Sequence, residues 1–201
     1  MTDEKIIEEI ARMKQLAEEG RNAPLIGGMV SIWWGVLSFV MLLTHWVTLV
    51  GHAPWPTQYI GIGWMIYALI GVIGTYIMGK KLDRNPNANA LSNRVSSATW
   101  AMAGAAIFTF AIGCVLSVFL GGVPSWIFNA ILPVSFICYG SAHGVIAKLA
   151  GDKTSGIAAV LSFGFALLMM PLLLTPALYL LTAFMMLAVT ILPNVLPRKA
   201  S

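Results

Sequence analysis

Asn129, Pro133, Phe136, Gly140, His143 and Ala147 recur at three- and four-residue spacing, so on a helix they share one face, with Ser135 and Tyr139 flanking it. An amide, a phenol and an imidazole on one stripe are raw material for a polar cavity in an otherwise apolar segment. Pro133 cannot donate a backbone hydrogen bond and displaces the carbonyl of Asn129, which predicts a kink there. A freed carbonyl beside an amide side chain would line a path for a solute or ion, and such breaks are tolerated where they are buried or line cavities. The plainer reading of the same residues is packing. Gly140 and Gly144 form a Gly-x-x-x-Gly pair that draws a neighbouring helix close, while Asn129 hydrogen-bonds across the interface. The candidate cavity set is therefore Asn129, Pro133, Ser135, Tyr139 and His143, and the candidate helix contact is Gly140 with Gly144.

Catalysis has few other handles. No Asp or Glu falls within an apolar stretch, whereas ion-coupled transporters and pumps hold their coupling cation on buried carboxylates. An intramembrane aspartyl protease is excluded on the same ground. The sequence has no His-Glu-x-x-His pattern and no Cys-x-x-Cys pair. A rhomboid-type serine protease needs a histidine on its sixth helix and a Gly-x-Ser-x serine on its fourth, and neither is present. His45, His52 and His143 fall at different depths, against the paired axial ligands of a b-type haem. His45 and His52 lack a third ligand for a metal ion, and His45 reads as an interfacial polar residue beside Trp46. Cys114 and Cys138 read as small core side chains. The expectation is a non-enzyme with no catalytic residue, no cofactor and no metal.

The elements that would position these residues follow from hydropathy. Of 201 residues, 58% are hydrophobic and 10% charged, which fits no soluble globular class. A bilayer core about 30 Å thick needs about 20 apolar residues per helix. Six stretches qualify, at about 25–50, 58–78, 96–120, 124–147, 156–173 and 177–196. All 12 basic residues fall in alternate connections: Lys5, Arg12, Lys14 and Arg21; Lys80, Lys81, Arg84 and Arg94; Lys148 and Lys153; Arg198 and Lys199. Since Lys and Arg bias in short loops sets orientation, both termini are expected to be cytoplasmic. The fold expected is an all-α integral membrane protein, six transmembrane helices in three tandem hairpins (residues 23–201), in the cell inner (cytoplasmic) membrane. The first 20 residues are charged and lack an apolar centre, so no cleavable signal peptide is expected. Trp46, Trp55, Tyr59, Trp126 and Tyr179 are placed at the outer boundary. Trp33, Trp34 and Trp64 lie deeper, between helices or against lipid tails.

Residues 1–22 read as a cytoplasmic amphipathic helix. Ile6, Ile10, Met13 and Ala17 recur at helical spacing. Six acids against four bases make it unlike a helix built to lie on anionic lipid, so the stripe is the candidate partner-docking face. The expected function is non-enzymatic: lateral assembly or regulation, as an accessory subunit or regulatory membrane factor. The alternative is a passive channel or facilitator for a small neutral or anionic solute, lined by the fourth helix. The expected partners are the lipid bilayer and a homo-oligomer or membrane-protein partner, with no nucleic acid.

Overall fold

The computed structural model describes residues 7–12 and 25–195. The chain is all-helical, with no strand among the described residues. Residues 7–12 are helical. After them come α1 (Gly28–Leu49), α2 (Ile60–Leu82), α3 (Leu91–Phe119), α4 (Ile131–Ala150), α5 (Lys153–Met169) and α6 (Ala177–Thr190). Short 3-10 turns lead into α2 and α4 and out of α5. Counting those turns, five helices are long and apolar enough to cross a membrane: Gly28–Leu49, Thr57–Leu82, Leu91–Phe119, Ser125–Leu149 and Lys153–Leu172.

The sixth stretch departs from expectation. Regular helix stops at Thr190 after 14 residues, about 21 Å at 1.5 Å per residue. The chain turns at Ile191 and resumes for one turn, Leu192–Val195. Pro193 accounts for the break, because it offers no N–H to the carbonyl four residues back and its ring crowds that carbonyl. Short as it is, α6 is the most enclosed helix. Leu178, Tyr179, Thr182, Ala183, Met185, Met186, Val189 and Thr190 are all buried, because α6 lies between α1 and α5. Following the packing from helix to helix gives the spatial order α2–α1–α6–α5–α4–α3. The outermost two are little covered: Gly71 alone is buried in α2, and Ser92, Asn93 and Cys114 in α3.

Other boundaries move for identifiable reasons. The second connection shrinks from Gly79–Ser96 to residues 83–90, held by successive turns and by Asn85 Oδ1 accepting the N–H of Asn87 (2.9 Å). At the fourth, α4 runs on to Ala150 and α5 opens at Lys153, so two residues suffice. Gly151 ends α4 at φ +65°, where a side chain would be strained. Asp152 then caps α5: its carboxylate accepts the backbone N–H groups of Thr154 and Ser155 (3.3 Å each) and their hydroxyls (2.7 and 2.6 Å). Asp152→Ala removes these acceptors at once and is expected to cost about 1 kcal/mol. That loss should show as a lower unfolding midpoint in detergent; an unchanged midpoint would mean the cap contributes nothing. The break expected at Pro133 takes the form of a change of winding. Residues Ser125–Ala130 wind as 3-10 helix, and Pro133 stands in the first turn of α4, where a missing N–H removes no intrahelical bond.

Candidate functional site

The richest polar constellation lies between α1 and α2. Trp64 Nε1 donates to His45 Nδ1 (3.0 Å), Ser38 and Tyr67 share a hydroxyl–hydroxyl bond (2.8 Å), and Trp34 Nε1 donates to Thr75 Oγ1 (2.8 Å). These pairs nest about the turn near His52–Trp55, so the two helices run antiparallel. Glycines admit the rings. A Cβ on Gly71 would lie 2.1 Å from the Trp34 ring and one on Gly74 2.5 Å from that of Trp33. Trp33, Trp34 and Trp64 thus pack between helices.

From His45 the seam crosses the molecule. The imidazole stacks on Tyr179 of α6 at 3.6 Å between ring centroids. The Tyr179 hydroxyl donates to Asn129 Oδ1, and the Asn129 amide nitrogen donates to the Leu173 carbonyl. His45 and Tyr179, placed at the outer boundary by hydropathy, are enclosed by neighbouring helices, 8% and 6% exposed. Both lie where α1 meets α6, and with α5 on its other side even the first turn of α6 is interior. By contrast Trp55, Tyr59 and Trp126 are exposed.

The five candidate cavity residues fall into separate surroundings. Asn129 ends the seam just described. Pro133 opens α4. The Ser135 hydroxyl turns back to the Ile131 carbonyl (2.7 Å), the usual way a hydroxyl is satisfied inside an apolar helix. Tyr139 and His143 lie against Trp100 of α3, at 5.7 and 5.0 Å between centroids. His143 is buried and neither ring nitrogen has a hydrogen-bond partner among the described residues. Gly140 and Gly144 face α5: a Cβ would lie 2.9 Å from the Phe163 ring at the first and 3.9 Å from Ala159 Cβ at the second. On the amino-terminal stripe, Ile10 is exposed, while Ile6, Met13 and Ala17 lie outside the described residues.

Where α1 and α2 approach their turn, a pocket of about 370 Å³ opens between them, its wall including Met41, Thr44, His45, Trp55, Tyr59 and Ile62. Trp55 is fixed there by donating to Thr48 Oγ1 (3.0 Å). Of the seam only the bonding of Asn129 across helices is expected from the sequence, although the nested order of Trp, His, Ser and Tyr around one short turn is a signal for antiparallel pairing of α1 and α2. No group of three or more His, Cys, Asp or Glu that could hold a metal occurs among the described residues. An all-helical chain with five helices long and apolar enough to cross a bilayer defines a helical membrane protein. The chain matches no family model, no curated protein and no solved structure.

Proposed function

We propose that the chain is a non-enzymatic multi-pass protein of the inner membrane that acts through lateral assembly or regulation. In this reading all six stretches cross, the last with help from the turn after Ile191, and both termini are cytoplasmic. The ends that carry the basic residues come together: Ile26 N–H donates to Asn93 Oδ1 (3.0 Å), and Gly28 abuts Asn194. The observation that carries the proposal is the exposure of Ile7 and Ile10, 67% and 56%, on a segment too acidic to favour anionic lipid. All six described residues here, 7–12, are exposed, so the bundle leaves this face open to a protein partner. The flanks α2 and α3 offer further free surface. A passive facilitator lined by α4 has less support, because the Asn129 amide is engaged on both its oxygen and its nitrogen.

Deleting residues 1–20 tests the reading. Extracted in mild detergent and weighed intact by native mass spectrometry, the full chain is expected as a defined homo-oligomer or a stoichiometric complex. The deletion is expected to insert normally and run as a lone chain. A full-length monomer, or an assembly indifferent to the deletion, would end the proposal.

A further inference from the structure

We infer that the pocket between α1 and α2 is a binding site for a neutral, planar, carbonyl-bearing ring compound of the quinone type that enters from the bilayer. His45 decides the chemistry. Its Nδ1 accepts the indole N–H of Trp64 (3.0 Å), so the proton of the neutral imidazole sits on Nε2, which is then a donor. Trp64 and the stacked Tyr179 ring hold the imidazole in place. The residue is 8% exposed and forms part of the pocket wall, and its hydrogen bond among the described residues is the one at Nδ1. An N–H in the wall of an apolar pocket gains from an acceptor brought by a ligand.

The remaining wall narrows the ligand. Thr44 and Thr48 have already given their hydroxyl protons, to the carbonyls of Val40 (2.8 Å) and Thr44 (2.7 Å). No Lys or Arg lines the pocket, so a phosphate or carboxylate would arrive without a counter-charge and is disfavoured. The ligand is therefore neutral, with one carbonyl aimed at His45. Met41 and Ile62 supply apolar walls, and Trp55 and Tyr59 offer rings on which a flat molecule stacks offset. About 370 Å³ falls in the range of roughly 300–1,000 Å³ typical of small-ligand sites. The site is independent of the assembly reading and stands or falls separately.

The test uses the full chain in phosphatidylcholine nanodiscs titrated with decylubiquinone, read by quenching of tryptophan emission. Saturable quenching is expected. His45→Phe, which keeps a planar ring and removes the donor, should weaken binding about tenfold, the scale of one lost hydrogen bond. Gly63→Val should weaken it by a similar factor by filling the pocket. A Cβ there meets only the flexible end of Met41, at 3.0 and 3.5 Å, so this variant decides the matter if His45→Phe folds poorly. Absence of saturable quenching, or quenching equal in both variants and the parent, overturns the inference. So does a co-purifying phospholipid that decylubiquinone fails to displace, which would assign the pocket to a lipid ester.

Discussion

Gly35→Leu is expected to separate α1 from α6 and to lower stability by about 3 kcal/mol, at the upper end of what overpacking costs. A Cβ at this position would lie 2.0 Å from Thr190 Oγ1 and 2.8 Å from Thr190 Cβ. Thr190 cannot step aside cheaply. Its hydroxyl donates to the Met186 carbonyl (2.7 Å), and its own carbonyl accepts from Ser31 (3.2 Å) and Asn194 (2.7 Å). Close helix approach through a small residue is the usual means of association where lipid removes the hydrophobic drive between helices. Gly61→Leu is the control, since nothing lies within 4 Å of a Cβ there. Unfolding midpoints in detergent should drop sharply for the first variant and hardly for the second. Equal midpoints would refute a close-packed α1–α6 contact at Gly35.

Asn129→Leu is expected to cost about 2 kcal/mol. One side chain serves two partners on different elements, receiving the Tyr179 hydroxyl and giving to the Leu173 carbonyl. An apolar replacement of similar volume strands both, at about 1–3 kcal/mol for each unsatisfied buried group. The figure is reduced because interhelical hydrogen bonds in membranes average only about 0.6 kcal/mol, the unfolded chain finding substitutes. Tyr179→Phe should lose one bond and cost about half as much. The double variant should then be scarcely worse than Asn129→Leu alone, since the shared bond is lost only once. Strictly additive losses would mean that the two side chains do not interact.

Hydropathy and loop charge revealed the helical class and most of the apolar stretches, because each property is summed over about 20 residues and survives local error. The ends of those stretches were less legible. At Asp152 a single carboxylate adds a turn to α5, and at Pro193 a single ring removes one, and neither effect is visible in an averaged window. Asn129 was recognisable as a residue that bonds across helices, but its partner Tyr179 stands 50 positions later, a separation that no periodicity links. The enclosure of His45 is hidden for a related reason: hydropathy gives its depth along α1, whereas its burial is set by Tyr179 of α6. Gly71 and Gly74 could be seen as small but not as seats for Trp34 and Trp33, because that requires the register of α1 against α2.

The spatial order α2–α1–α6–α5–α4–α3 puts first and last helices side by side. Ribosomes deliver α6 after α1 to α5, yet it occupies the middle of the six. Until it arrives, Gly35 of α1 has no Thr190 to pack against, the His45 ring lacks Tyr179, and α5 lacks one flank. Assembly in this chain therefore cannot proceed as a zipper that adds finished pairs from one end. The helices made earlier must wait as a loosely held set, and the 14 residues of α6 act as a keystone.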